Sequence, residues 1–307
     1  MLKNPYVRSV LSAVITGIVI AFCIIGVSHV IFSRKMSAPV VVDTSGINEE
    51  EPNSTANFLI EPIEVGTPHT PRAIGADTYF VRDIASSTVL YEKNSERALP
   101  IASLTKLVTA VVAENVFDRN AKIKVTPAAL SIEGNSGHFR MDESFTVPEM
   151  LHPLLMVSSN DAAEAIAQAY KPSRQAFVRA MNTWVYSIGA YHTYFSDPSG
   201  LSPKNISSAD DISVILEWIY KNRPELVDIL RMKSYALRTH VWINEAHFLN
   251  LSSYIAGKNG YIPEAKETAV GIFSVKDRLY SVAVLGTKNR DKDVLELLQW
   301  ITDSGKK

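Results

Sequence analysis

"YFVRDIASSTVLYEKNSERALPIASLTKLVTA", Tyr79 to Ala110, changes its pattern halfway along, and that change decides the fold. Its first half holds two runs rich in β-branched and aromatic residues, Tyr79–Ile84 and Thr88–Glu92, on either side of "ASS". Such a pair predicts a β-hairpin. The second half opens "ASLTKLVTAVVAENVF", with apolar residues at Leu104, Leu107, Val108, Val111 and Val112. That spacing predicts a core-facing helix beginning near Ser103. Three residues after Ser103 stands Lys106. Positions i and i+3 share a helix face, so the amine can reach the hydroxyl. A serine hydroxyl is a poor nucleophile until a base takes its proton, and a desolvated lysine can do so. Free amide groups at a helix N-terminus can also stabilise an oxyanion. The spacing alone is weak: "SGKK", Ser304–Lys307, repeats it at a polar chain end with no helix to follow.

Outward from this stretch, "TVPEMLHPLLMVSSNDAAEAIAQAY" reads as two helical segments meeting around "SSN". Ser158 and Asn160 there supply a hydroxyl and a carboxamide two residues apart. Ser and Asn are also common helix caps, and the two roles are compatible. "SADDISVILEWIYKN" has another capped, amphipathic start, "ETAVGIFSVKDRLYSVAVLG" alternates like two antiparallel strands, and "DVLELLQWI" is a final helix. Strands at both ends with helices between predict an α+β domain whose antiparallel sheet joins the two ends. Ahead of the alternating run lies "AGKNGYIPEA", Ala256–Ala265. On an edge strand, Lys258, Asn259 and Gly260 can clamp a peptide carboxylate while the glycine admits a substrate backbone. The competing reading is a turn at "NG" beside a solvated lysine.

The chain has 307 residues, 46% hydrophobic and 21% charged, and its 31 Lys+Arg nearly cancel 32 Asp+Glu. No bulk charge or basic–aromatic stripe points to nucleic acid. Cys23 is the sole cysteine, which excludes an intrachain disulfide and a thiolate metal cluster. His138, His152, His192, His240 and His247 lack metal-ligand spacing and read as packing or surface residues, as Trp184, Trp218, Trp242 and Trp300 read as core aromatics. Ser9 to Ser33 carries no formally charged side chain. It exceeds the roughly 20 residues a transmembrane helix needs and the usual apolar core of a signal peptide, so residues 1–35 are expected to be a retained anchor. Lys3 and Arg8 precede the span and Arg34 and Lys35 follow it, giving a slight preference for a cytoplasmic amino terminus. Residues 36–72 mix Pro, Ser, Thr, Asn and Glu without period and read as an extended tether. Residues 73–303 are then the folded domain and 304–307 a polar tail.

Order and spacing raise the weight of the three short motifs together. S-x-x-K is followed by S-x-N about 55 residues on and K-x-G about 100 further, the set of penicillin-binding proteins. The opening stretch, with its Pro-x-Ala-Ser-x-x-Lys segment, "LLMVSSNDAAEAIAQ" and "YFSDPSGLSPKNISSADDISVI" resemble the D-alanyl-D-alanine carboxypeptidase family, the low-molecular-mass penicillin-binding serine peptidases of family S11. The similarity covers roughly Ala73 to Ile301. It implies a β-lactamase/transpeptidase-like fold with a helical subdomain, no metal and no organic cofactor. It implies peptidoglycan stem peptides ending in D-Ala-D-Ala as substrate and β-lactams as covalent inhibitors. By resemblance Ser103 is the acyl-ester nucleophile and Lys106 its general base. Ser158 and Asn160 relay the proton and hold the substrate amide, and Lys258 binds the terminal carboxylate. The backbone N–H groups of Ser103 and Tyr261 form the oxyanion hole. It also implies an extracytoplasmic catalytic domain tethered to the bilayer through residues 9–33.

Two features depart from the family pattern: Asn259 replaces the usual Thr or Ser, and the anchor stands at the front of the chain. Loss of one hydroxyl donor costs about 1–3 kcal/mol, which slows a reaction without abolishing it. Asn259 also leaves open a catalytically impaired binding module. A class A β-lactamase requires a glutamate to activate the deacylating water, and only Glu164 and Asp197 stand in range after "SSN".

Overall fold

A computed structural model describes residues 74–134 and 136–304. The expected anchor at 9–33 and the tether at 36–72 lie outside the described residues, as do Gly305–Lys307. No described helix is long and apolar enough to cross a membrane.

Strands β1 (Thr78–Asp83) and β2 (Val89–Lys93) form the expected hairpin. After β3 (Leu99–Pro100), a 3₁₀ turn at Ala102–Leu104 leads into α1 (Thr105–Val116). Ser103 therefore sits in the turn ahead of the α-helix, not in the helix itself. Next come β4 (Lys122–Lys124), the short α2 (Pro127–Leu130), β5 (Ser144–Thr146), α3 (Val147–Met156), α4 (Asn160–Ala169) and α5 (Arg174–Ser187). Strand β6 (Ile206–Ser207), α6 (Ala209–Asn222), α7 (Pro224–Arg231) and the ribbon β7 (Ser234–Leu237) and β8 (His240–Ile243) follow. The chain closes with β9 (Tyr254–Ile262), β10 (Lys266–Val275), β11 (Arg278–Thr287) and α8 (Arg290–Ser304). Ser304 ends α8, with its hydroxyl 2.8 Å from that of Tyr91, so it belongs to the domain and not to the polar tail.

The main sheet is antiparallel, in the order β2-β1-β11-β10-β9. Pairing of β1 with β11 closes the two ends of the domain on each other, as the alternating patterns predict. The sheet is buried on both faces, and its side chains divide by parity. Phe80, Val270, Ala283 and Leu285 join the large core made with the helices, whereas Val81, Ala269, Val282 and Val284 pack with Val294, Leu297 and Ile301 of α8. Each buried Val, Leu, Ile or Phe among them contributes about 1.5–3 kcal/mol. Strand β9 is left on the outside edge, and its "KNG" is strand, not turn. In isolation "NG" favours a turn, but register with β10, Lys258 opposite Val270 and Asn259 opposite Ala269, overrides that preference.

Helix starts follow the local chemistry. Thr146 accepts from the Glu149 amide and Glu149 returns a bond to the Thr146 amide, a capping box for α3. Ser208 caps α6. Ser159, between the two motif residues, caps α4 by accepting from the Ala162 amide. That frees Ser158 and Asn160 from the capping task.

Candidate active site

The site lies where the 3₁₀ turn passes under the edge strand. A β-carbon on Gly260 would stand 2.8 Å from the Ser103 backbone nitrogen and 3.0 Å from the Ala102 β-carbon. The glycine thus admits the serine-bearing turn itself, a closer demand than room for a substrate backbone. From the other side Gly200, at φ +90°, would place a β-carbon 1.9 Å from the Ala102 carbonyl oxygen. Two glycines, 60 residues apart in the sequence, therefore clamp the turn that carries Ser103. Its backbone nitrogen lies against β9 at Gly260.

Lys106 is fully buried, and its amine is held at three points. It donates to the Asn160 carboxamide oxygen at 2.7 Å and to the Ser199 carbonyl at 2.6 Å, and lies 3.0 Å from the Ser103 hydroxyl, which can donate to it when the amine is neutral. Burial, with a smaller push from the Lys258 charge, holds its pKa well below the usual lysine value, against the pull of Asp197 and Asp161. A neutral amine 3.0 Å from a hydroxyl can accept its proton. Asn160 is oriented by its other end: its amide nitrogen donates to the Glu133 carbonyl at 2.8 Å, which leaves the oxygen facing Lys106.

Ser158 adopts φ +55° and is not bonded to Lys106; its hydroxyl is buried without a partner among the described residues. The structure thus brings Ser103, Lys106 and Asn160 into direct contact and leaves Ser158 outside the network. Lys258 is also buried, donating to the carbonyl of Asn259 at 3.2 Å. Burial first, then repulsion from Arg290 against the attraction of Glu245, pushes its pKa down to about 8. The Asn259 carboxamide makes no hydrogen bond to a described residue. It stands on the α8 face of β9, opposite Ala269, while Lys258 faces the helical core. Tyr261 exposes 62% of its surface at the cleft rim.

Some site residues escape a motif reading. The Ser199 carbonyl is presented by a loop that Asp197 organises, accepting from the amides of Ser199, Gly200 and Ser202. Asn205 ties that loop to α1 by donating to the Thr105 hydroxyl at 3.1 Å and the Asp197 carbonyl at 2.9 Å. The "DPSGL" segment was legible only as part of the family resemblance; that its carbonyl would meet a lysine 93 residues earlier was not. Arg290, buried at the start of α8, donates to the Gly260 carbonyl at 2.9 Å and adds a second cation above β9. Glu164 is committed elsewhere, to Arg174 at 2.5 Å and Gln168 at 3.0 Å, and Asp197 is saturated by its own loop. The other Glu164 oxygen, Oε2, is buried without a partner among the described residues, and neither carboxylate bonds Ser103 or Lys106. No group of acidic, His or Cys side chains capable of holding a metal occurs among the described residues.

An α+β fold with a Ser–Lys pair set under an edge strand defines a serine peptidase of the penicillin-binding class. Within that class the chain belongs to the peptidase S11 family, D-alanyl-D-alanine carboxypeptidase, whose model matches residues 64–289. The match begins ahead of Ala73, inside the stretch read as tether. The chain is 29% identical to the D-alanyl-D-alanine endopeptidase of Pseudomonas aeruginosa over 268 residues, 81% of this chain and 84% of that one. It is 30% identical to the D-alanyl-D-alanine carboxypeptidase DacA of Haemophilus influenzae, covering 75% of this chain and 63% of the relative. Among solved structures, the D-alanyl-D-alanine carboxypeptidase of Mycobacterium tuberculosis superposes with TM-score 0.69 at 27% identity, over 76% of this chain and 94% of that one. The Streptomyces K15 DD-transpeptidase shares the fold, with TM-score 0.70 at 24% identity over 75% and 98%.

Proposed function

We propose that this protein is a membrane-anchored serine-type D-Ala-D-Ala carboxypeptidase acting on peptidoglycan stem peptides outside the cytoplasm. The observation that carries the reading is the buried Lys106 amine, 3.0 Å from the Ser103 hydroxyl, with its charge disfavoured by burial. Neutral Lys106 takes the Ser103 proton as Oγ attacks the penultimate D-Ala carbonyl. The N–H groups of Ser103 and Tyr261 hold the oxyanion. The C–N bond breaks, the proton passes through Ser158 to the departing D-Ala amine, and water hydrolyses the ester. Asn160 holds Lys106 and the substrate amide. Lys258 and Arg290 flank the edge of β9 and attract the terminal carboxylate.

Endopeptidase cleavage of D-amino-acid cross-links uses the same groups, and the Pseudomonas aeruginosa relative carries that name. Analysis of products from a cross-linked dimer and from a pentapeptide decides between the two. β-Lactams, which mimic the acyl donor, are expected to acylate Ser103. The anchor at 9–33 and the extracytoplasmic placement form part of the proposal, and a topology reporter fused after Arg72 tests them. The decisive experiment labels the full-length protein with a fluorescent penicillin, beside Ser103→Ala. Label that disappears in the variant supports the acyl-enzyme. Label retained by Ser103→Ala, or absent from folded wild type and from Asn259→Thr alike, overturns it in favour of a binding module.

A further inference from the structure

Arg290 has a partner that this chemistry leaves unexplained. While one terminal nitrogen donates to the Gly260 carbonyl, the other lies 2.9 Å from Nε2 of His247. The opposite ring nitrogen, Nδ1, lies 3.0 Å from the Asp291 carboxylate. A guanidinium has donors only, so Nε2 of His247 has to accept. The imidazole is therefore neutral, with its proton on Nδ1 and given to Asp291. A continuous row results: Asp291, His247, Arg290 and the carbonyl of Gly260 in the K-x-G strand.

The row crosses three elements: α8 supplies Asp291 and Arg290, the segment before β9 supplies His247, and β9 supplies the carbonyl. Its place relative to the catalytic groups follows from strand register. Lys258 lies opposite Val270 on the helical face, and Asn259 lies opposite Ala269 on the face covered by α8. Lys258 and Arg290 thus come to the free edge of β9 from opposite sides of the sheet. Lys258 is locked by burial in the core. Arg290 is buried as well, but its Nε makes no hydrogen bond among the described residues and has only longer ion pairs, 4.0 Å to Glu267 and 3.8 Å to Asp291. The direction of the terminal nitrogens is set by Gly260 on one side and His247 on the other.

We infer that His247 is a positioning residue that, in its neutral form, aims the Arg290 guanidinium at the edge of β9 and so sets affinity for a substrate carboxylate. The inference rests on the reading of the site given above. The charged groups in contact with His247 are Arg290 and Asp291, both on α8, and Glu267 on β10 lies 4.0 Å from Arg290. Protonation of His247 puts an N–H against the guanidinium donor, breaks the contact and frees Arg290 to turn toward Glu267 or Asp291. His247 thus acts on carboxylate recognition without touching the substrate.

The test uses the full-length protein carrying Ser103→Ala, so that binding is read without chemistry. The probes are an acetylated peptide ending in D-Ala-D-Ala and the same peptide with a C-terminal amide, titrated by calorimetry into the parent, His247→Ala and His247→Gln. Gln retains an acceptor near the position of Nε2. His247→Ala is expected to weaken the free acid roughly tenfold while leaving the amide within about twofold, and His247→Gln to recover most of the loss. Equal losses for acid and amide, or no loss in His247→Ala, overturn the inference and leave His247 a surface tie between a loop and α8. A folded parent that binds neither peptide overturns the reading of the site, and the inference falls with it.

Discussion

The two walls of the cleft are built by different rules. On the helical side, the Lys106 amine makes three hydrogen bonds in a dry core, to Ser103, Asn160 and Ser199, and each acceptor is fixed by something else. On the strand side, Asn259 bonds to no described residue, Tyr261 is exposed, and Arg290 is steered by a half-exposed histidine. The proposed proton transfer needs a position and a depressed pKa, which burial supplies. Recognition needs charge at an open edge, which burial would suppress. Variation falls on the open wall, where Asn259 replaces a hydroxyl residue, whereas the closed wall holds Lys106 to Ser103, Asn160 and Ser199.

The sharpest way to break the comparison is to remove the base. Lys106→Met keeps the volume and deletes the amine, and penicillin acylation is expected to slow by about 10³–10⁴-fold, read by stopped-flow quenching. A loss below tenfold would mean that Lys106 is only a packing element. The next effect tests the clamp on the turn. Gly260→Ala forces a β-carbon against the Ser103 nitrogen, and acylation is expected to drop about 100-fold with the fold retained by circular dichroism.

Lys258 tests the boundary between the walls, since it is buried yet proposed to serve recognition. Its folded pKa of about 8 lies below the ordinary lysine value, so the unfolded chain binds the extra proton between about 8 and 10.5. Its contribution to stability is present above 10.5 and is lost as pH falls through about 8. Lys258→Met is therefore expected to raise Tm at pH 7 by roughly 4–8 °C while kcat/KM for a D-Ala-D-Ala peptide falls about 30-fold. In wild type, kcat/KM is expected to decline above about pH 8 as the charge disappears, a limb that Lys258→Arg should lack. A Tm that drops in Lys258→Met would place the lysine in the structural category and dissolve the distinction. The smallest effect is expected at the open wall: Asn259→Thr should raise acylation by a few-fold to about tenfold. A loss instead would show the carboxamide to be adapted to its substrate.

How much of this was legible follows the range of each interaction. The hairpin, the capped helices and the Ser103–Lys106 pair depend on neighbours three or four residues away, so pattern alone determined them. So did the antiparallel sheet joining both ends, because alternation marks the strands and their burial on both faces leaves few arrangements. Tertiary structure decided what pattern could not address. It turned "NG" from a turn into an edge strand, gave the cap to Ser159 and left the Ser158 hydroxyl unbonded to Lys106. It brought the Ser199 carbonyl to Lys106 across 93 residues, Arg290 to Gly260 across 30 and His247 to Arg290 across 43. A carbonyl carries no side-chain signature, and an arginine at a helix start resembles any other. Their chemistry exists only once strand register and packing have set the distances.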